Sequence, residues 1–382
     1  MLAPATDVHP AACVGRVWLV DFRCFTAADV SFAPGLTVIH GANGQGKTSL
    51  LEAVAWVARA RSFRGVPDAG LVRTGASQAV VRADVTTGTR TQLVEAEIRA
   101  VGRNRILCNK QVVHRTRDLH GLVRASVFAP DDLALVKEGP ARRREYLDEL
   151  LAMLAARYEA ARADFDKVLK HRNALLRAGV RDDEARATLD VFDEQLVAAG
   201  VELVRGRLRL VERLGPAVRD AYAALSGDER AVTIAYEAEW AEATLETDAS
   251  DELASLLREA LGRRRRAELD RGVTLVGPHR DELHLALGDL EARTQASQGE
   301  QRTLALALRL AGHALVTDLT GVAPVLLLDD VFSELDPQRC DALLRNLPPG
   351  QALLTTAGVL PAAVHAQHRL HVRDGTVHEE PV

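Results

Sequence analysis

LTVIHGANGQGKTSLLEAVAWVARA, residues Leu36 to Ala60, decides how this chain is read. Leu36-Thr37-Val38-Ile39-His40 is a short β-rich run. Gly41-Ala42-Asn43-Gly44-Gln45-Gly46-Lys47-Thr48 follows it and matches the pattern G-x-x-x-x-G-K-[ST]. Ser49 to Ala60 is a good helix sequence in which Leu50, Leu51, Val54 and Val57 share an apolar face. A strand, a glycine loop and a helix in that order form the context in which this motif cradles nucleotide phosphates. Gly41, Gly44 and Gly46 let the backbone curl until several N–H groups face one anion. The helix adds the positive end of its dipole. Lys47 reaches the β- and γ-phosphates, and the Thr48 hydroxyl takes a place on Mg²⁺. The bland alternative, a flexible glycine-rich turn, does not explain the flanking strand and helix.

The second half of such a site lies far downstream. Val325-Leu326-Leu327-Leu328-Asp329-Asp330 reads as a buried parallel strand with carboxylates at its C-terminal end. Asp329 is placed to hold Mg²⁺, directly or through water, opposite Thr48. Asp330, one residue on, is placed to polarise an attacking water. The alternative is a strand end with solvated acids. Ser333-Glu334-Leu335-Asp336-Pro337 turns into the next helix. Upstream, Ser297-Gln298-Gly299-Glu300-Gln301 opens a helix continuing RTLALALRLAGHALV. Ser297 and Glu300 also make a capping box, which would start any helix. Lys47 and Asp329 stand 282 positions apart, so the nucleotide fold is split by a large insertion.

Around these segments the texture changes twice. Val17 to Val20 and Ala28 to Phe32 are β-rich, and Pro34-Gly35 turns the chain into the strand before the glycine loop. RSFRG places Arg61 and Arg64 on a loop after the helix. Val80 to Val85, Thr91 to Ile98 and Ile106 to Val113 alternate and read as an antiparallel set, with a basic turn of Arg99, Arg103, Asn104 and Arg105. Beyond the breaker Phe128-Ala129-Pro130-Asp131-Asp132, helical patterns cover Pro140 to Arg177, Leu189 to Leu225 and Ser250 to Asp270. Ala231 to Glu237 is a strand between them. Val273 to Val276 returns to strand character, Gly277 to Asp281 is a polar turn, and Leu283 to Leu287 is another strand. The expected division is a disordered extension over residues 1–13, a first head part over 14–137, a mainly helical arm over 138–271 and a second head part over 272–382. Helices of about 35 residues reach only about 50 Å at 1.5 Å per residue, a stub rather than a long bridge.

Composition bounds the rest. Net charge is −5, so any nucleic-acid surface is local, with Arg142-Arg143-Arg144 and Arg263 to Arg266 as candidate clusters. The alternative for each is a solvated helix face. Cys13, Cys24, Cys108 and Cys340 form no C-x-x-C pair, which argues against zinc and for a reducing, cytoplasmic compartment. The first residues lack the pattern of a signal peptide, and no apolar run of about 18 residues suggests a membrane span. No aromatic platform for single strands is evident.

A Ser-x-Gly-[Glu/Gln]-Gln helix start ahead of the acidic strand makes the chain resemble the ATP-binding-cassette and SMC ATPases. The resemblance narrows to the RecF family of bacterial recombination mediators. It rests on DFRCF at Asp21 to Phe25, GANGQGKTSLLEAV from Gly41, RSFR from Arg61, FAPDDL from Phe128, VGPHRDEL from Val276, SQGEQRTLALALRLA from Ser297 and LLLDDVFSELD from Leu326. It covers nearly the whole chain after the N-terminal extension.

The resemblance implies an α/β fold, an ABC/SMC-type P-loop ATPase head with a mainly helical inserted arm domain. It implies that Gly41, Ala42, Asn43, Gly44, Gln45, Gly46, Lys47 and Thr48 bind ATP, and that Thr48 and Asp329 hold Mg²⁺. Lys47, Asp329 and Asp330 would carry hydrolysis. Ser297, Gly299 and Gln301 would engage the ATP of a second copy in an ATP-dependent homodimer, with Asp336 at the seam. Thr355, in Leu353-Leu354-Thr355-Thr356-Ala357, stands where transporter cassettes carry a histidine switch, and a threonine cannot act as a base. Asp330 stands where they commonly carry Glu. Both departures imply slow hydrolysis used as a timer. The usual Gln between sheet and insertion is not evident, and Asp131 or Asp132 is the replacement considered. The implied function is binding of duplex DNA at single-strand gap junctions, with RecO and RecR, to load RecA. This serves recombinational repair, the SOS response and replication-fork maintenance, with a weak DNA-dependent ATPase. The rival readings are a transporter ATPase subunit, an SMC-like tether and a small-molecule kinase.

Overall fold

A computed structural model describes residues 11–114, 118–119, 122–228, 230–241, 245, 248–358 and 364–381. In chain order the elements are β1 (Ala12–Phe22), β2 (Phe25–Ser31), β3 (Leu36–His40), α1 (Lys47–Arg59), β4 (Gln78–Thr87), β5 (Arg90–Arg99), β6 (Arg105–Cys108), β7 (Gln111–Val112) and β8 (Ala125–Phe128). Helices α2 (Ala134–Lys137), α3 (Pro140–Leu154), α4 (Ala156–Ala178) and α5 (Asp183–Ser226) follow, then β9 (Val232–Glu237) and α6 (Ser250–Arg271). The chain closes with β10 (Glu282–Leu287), β11 (Leu290–Glu291), α7 (Gln298–Thr320), β12 (Val325–Asp329), α8 (Pro337–Arg345), β13 (Ala352–Thr356), β14 (His368–Arg373) and β15 (Thr376–Glu380).

The chain divides into two compact units. The first holds residues up to Leu133, Ala221–Asp228 and Ala305–Val382. Its two six-stranded sheets run β2-β1-β4-β5-β6-β7 and β15-β14-β3-β13-β12-β8. Neighbours in the first are antiparallel. In the second all are parallel except the β14–β15 hairpin. β12 is buried at all five positions, as an aliphatic run in a parallel sheet must be. Helix α1 is buried from Leu50 through Ala58, so it is apolar all round rather than on one stripe. Its Leu50, Leu51 and Trp56 share one core with Val17, Leu19 and Ile98 of the first sheet and Leu327, Leu353 and Leu370 of the second.

One buried group in this unit sets an acid limit on stability. His313 of α7 is 1% exposed, and neither ring nitrogen has a partner among the described residues. Burial pushes its pKa down from 6.5 to about 4. The folded chain therefore keeps the ring neutral where the unfolded chain protonates it. The stability is complete above pH 6.5 and is lost as pH falls toward 4, by about 3 kcal/mol at the limit. His313→Leu is expected to leave the urea midpoint at pH 7 nearly unchanged and to raise it at pH 5. Equal midpoints for the two proteins at pH 5 would contradict this.

The second unit holds Ala134–Asp220 and Glu229–Leu304. It contains the sheet β11-β10-β9, helices α2, α3, α4 and α6, and most of α5. Its organising element is the loop over 273–281. Arg144 of α3 donates to Asp281 O at 2.8 Å. Arg172 of α4, fully buried, donates to Thr274 Oγ1 at 2.8 Å and to Glu268 Oε2 at 2.6 Å. Arg207 of α5 donates to Pro278 O at 2.7 Å and makes a two-pronged pair with Asp148 at 2.9 Å. Asp281 accepts from the Tyr236 hydroxyl and from Trp240 Nε1, and burial pushes its carboxyl up to about 7.

The structure departs from the sequence-based expectations at several places. β1 begins at Ala12, so the expected disordered extension does not reach residue 13, and residues 1–10 lie outside the described residues. The run from Ile106 to Val113 is split by Asn109 and Lys110, both at positive φ, into the hairpin β6–β7. The helix over 140–177 breaks at Ala155, where φ −158° and ψ 135° are extended. Val273 to Val276 is not a strand. Asn173 Oδ1 takes the Thr274 N–H at 2.8 Å and Glu268 Oε1 takes that of Leu275 at 2.7 Å, so side chains replace the neighbouring strand. Helix α5 has 44 residues, longer than expected, with Pro216 inside it. Ser297, Gly299 and Gln301 belong to the second unit, with the arm helices, rather than to the head.

Candidate functional site

The glycine loop is shaped by what lies behind it. Gly41 sits at φ 146°, and a Cβ there would stand 2.3 Å from Val372 O of β14. Gly46, at φ 114°, would put a Cβ 2.6 Å from Cys24 Sγ. Neither position accepts a side chain, and both need the left-handed region. The Gln45 side-chain oxygen accepts the Asp374 N–H, tying the loop to the turn between β14 and β15. That turn is Asp374-Gly375, both at positive φ, the two-residue connection that matches strand twist. Ala42, Asn43 and Gly44 remain exposed on the open side.

Lys47 is 6% exposed, and its Nζ donates to Gly41 O at 2.8 Å and Ala42 O at 2.9 Å. Burial lowers its pKa, while the charges of Asp330 and Asp329 oppose that shift. Asp329 Oδ1 accepts from Thr48 Oγ1 and from Thr355 Oγ1, each at 2.8 Å. Burial raises the Asp329 pKa, against those two hydroxyls. Thr48 and Asp329 offer hard oxygen donors close to one another beside the open loop. That is the donor set Mg²⁺ takes, with its other places left to water and phosphate.

Thr355 is fully buried, and its oxygen also accepts the Asp330 N–H at 2.9 Å. It therefore positions both acids from behind. Asp330 has φ 47°, a left-handed backbone that turns the chain after β12. Asp336 caps α8, accepting from Arg339 N at 2.9 Å, and that backbone bond holds its carboxyl below the usual range.

In the second unit the capping box forms. Glu300 N donates to Ser297 Oγ at 3.3 Å, and Ser297 N donates to Glu300 Oε2 at 2.7 Å. Arg230 braces Glu300 at 2.6 Å. Gln301 is 4% exposed and donates to Ala292 O and Arg293 O, both at 3.0 Å. It turns inward to hold the loop before the helix within its own copy. Gly299 lies in the first turn of α7, where N–H groups have no intrahelical acceptor. The structure thus gathers Lys47, Thr48, Asp329, Asp330 and Thr355 in one unit, with Asp336 further along the same unit, and holds Ser297, Gly299 and Gln301 in the other.

Asp132 does not stand open as a substitute for the missing Gln. It caps Ala129 N at 2.9 Å and pairs with Arg309 at 2.6 Å. Asp131 is exposed.

Sequence reasoning missed a buried brace. Glu52 of α1 is fully buried and takes a two-pronged contact from Arg23 at 2.7 and 2.8 Å, plus the Ser62 hydroxyl. Ser62 in turn accepts Arg64 N at 3.1 Å, and the Arg64 charge reaches Asp329. One acid thereby fixes DFRCF, the helix and RSFR together. The available signal was a glutamate inside an otherwise apolar helix. Glu52→Ala strands the Arg23 guanidinium and is expected to cost about 3–5 kcal/mol. Urea unfolding followed by tryptophan fluorescence reads this, and a loss below about 1 kcal/mol would show the brace to be dispensable.

Comparison with known proteins gives consistent relatives. The RecF/RecN/SMC N-terminal domain family matches residues 13–352. A DNA replication and repair protein RecF of Frankia alni is 47% identical over 350 residues, 89% of this chain and 92% of its own. That of Kineococcus radiotolerans is 44% identical over 385 residues, 95% of this chain and 98% of its own. Among solved structures, the recombination mediator protein RecF-ATPrS in the RecFOR pathway superposes with a TM-score of 0.89 at 28% identity, over 97% of this chain and 99% of that one. An Smc head domain from Pyrococcus furiosus, bound to the C-terminal domain of ScpA, matches with a TM-score of 0.55 at 16% identity, covering 97% of this chain and 96% of that one; this shows a shared fold.

Proposed function

The chain belongs to the RecF family of DNA replication and repair proteins, and from that premise we propose that it is an ATP-gated, duplex-binding dimer. The observation that carries this reading is the separation of the site. The phosphate loop, Thr48 and the Asp329–Thr355 pair lie in one unit, and the capped α7 N-terminus lies in the other. Under this reading the first turn of α7 from one copy, with Ser297 and Gly299, closes over the nucleotide held by Gly41 to Thr48 of its partner. Helix N–H groups then complete a cage for the γ-phosphate. Gln301 acts indirectly by fixing the loop before that turn, and Asp336 lies near the seam.

Within one copy, Lys47 exchanges its two carbonyl contacts for phosphate oxygens. Thr48 and Asp329 would hold Mg²⁺, which when bound neutralises charge on the β- and γ-phosphates. Asp330 orients water. Thr355, buried and already bonded to both acids, has no free base to offer, which fits slow hydrolysis that times release. The dimer would engage duplex DNA at single-strand gap junctions and act with RecO and RecR to load RecA in the cytoplasm.

ATPase rate per subunit, measured against protein concentration with and without duplex, tests this. The rate should rise with concentration and rise further with duplex. A rate that stays flat across a wide dilution series would contradict a site shared between copies.

A further inference from the structure

We infer that the β5–β6 hairpin, with Arg99, Arg103 and Arg105 around a protruding Val101, is a phosphate-backbone contact for duplex DNA; this rests on the duplex-binding reading above and names its surface. Antiparallel pairing sets Arg105 opposite Glu97, and Arg99 follows Glu97 by two, so the three share one face. Arg99 and Arg105 both lean on that single carboxylate at 3.6 and 3.9 Å, beyond hydrogen-bond distance. Arg103 is exposed and makes no hydrogen bond or ion pair among the described residues. Arg99 and Arg105 thus share one acid, and Arg103 adds a third cation at the turn. Elsewhere on this sheet Arg16 is matched by Asp29 at 2.6 Å and Arg82 by Glu95 at 3.0 Å, while Arg90, at the other end of β5, is a single exposed cation rather than one of a cluster. Positive excess gathers at the hairpin, although the whole chain carries a net charge of −5.

The tip is held in place rather than left loose. Asn104 Oδ1 accepts Arg99 N at 3.0 Å, and Asn104 Nδ2 donates to Asp68 Oδ2 at 2.6 Å. Asp68 Oδ1 accepts Trp56 Nε1 of α1 at 3.4 Å. Ala100 N donates to Ser77 O at 3.1 Å. The base of the loop is therefore held before any ligand arrives, which lowers the entropy lost on binding. Trp56 lies on the helix that starts at Lys47, so the tip is tied to the nucleotide loop through three side chains. Val101 is 89% exposed, an apolar point between cations that suits a sugar edge flanked by phosphates.

The test uses the full chain with ATP and a fluorescent blunt duplex, followed by anisotropy across a salt series. Each phosphate contact contributes about 0.9 to the slope of log K against log salt. The triple variant Arg99→Gln, Arg103→Gln, Arg105→Gln is expected to lower that slope by about 2 to 3 and to weaken binding at least about tenfold at low salt. ATP affinity and ATP-driven dimerisation should remain those of the unaltered chain, which reports on folding. The matching triple Lys variant should restore the slope. A Gln triple with unaltered slope and affinity would overturn the inference, as it would if the hairpin met an acidic protein instead. So would a Lys triple as defective as the Gln triple. An unaltered chain that binds no duplex at any salt would overturn the duplex reading itself, and that result comes before any variant is made.

Discussion

Lys47→Met is expected to weaken ATP binding by about 100-fold or more, roughly 2.8 kcal/mol at 1.4 kcal/mol per decade, and to remove ATP-driven dimers altogether. The reason lies in where the ammonium sits. It is buried, it bridges Gly41 O and Ala42 O, and burial lowers its pKa, so it is a cation held close to the phosphate cradle. Phosphate oxygens offer charge-assisted bonds that the two carbonyls do not match. Met keeps the length and apolar stem but offers no donor. The unliganded protein should therefore keep its stability within about 1.5 kcal/mol. Fluorescent-nucleotide titration, light scattering and urea unfolding together separate a binding loss from a folding loss. ATP-driven dimers of the Met variant at normal nucleotide concentration would refute the role given to Lys47.

Ser297→Arg carries the second large effect, and it should fall on assembly alone. Nucleotide affinity of the single copy should change less than about twofold, while dimers should vanish. Ser297 is exposed at the start of α7, and its hydroxyl accepts Glu300 N at 3.3 Å within its own copy. Arg removes that cap at about 1 kcal/mol and adds a bulky cation at the positive end of the helix. Ser297→Ala loses the same cap without the bulk, so it should fold equally well and still dimerise. If the Arg variant dimerises normally with ATP, the α7 terminus does not close over a partner's nucleotide. If the Ala and Arg variants are equally defective, the cap rather than the seam matters.

The parts of the site legible in the sequence were those whose chemistry is local. The glycine loop needs neighbouring residues only, and the acids of β12 follow an unbroken aliphatic run. The long-range parts were hidden. Nothing near Glu52 in sequence announces Arg23 as its partner, and only the fold shows that Ser62 and Arg64 hang from the same carboxylate. Val273 to Val276 has a strand's composition, but side chains of α4 and α6 take the N–H groups of Thr274 and Leu275. The resemblance implies Gln301 as an ATP contact across a dimer, and only the fold adds that it also donates to Ala292 O and Arg293 O within its own copy. The hairpin β14–β15 offered one cue, Asp374-Gly375. Its strands HRLHVR and TVHEE carry too many charged and histidine side chains for a clean alternation.

The order of the second sheet has a consequence for synthesis on the ribosome. β3, which delivers the glycine loop, is flanked by β13 and β14, and both lie beyond residue 350. At about 5–20 residues per second, the emerging β3 waits roughly 15–70 s for either neighbour. Through that interval β3 has no strand beside it, a state open to aggregation and suited to chaperone protection, while α1 already has the first sheet to pack on. A nascent chain stalled at residue 350 should be cut readily within residues 36–46, and a released chain that holds β13 and β14 should resist.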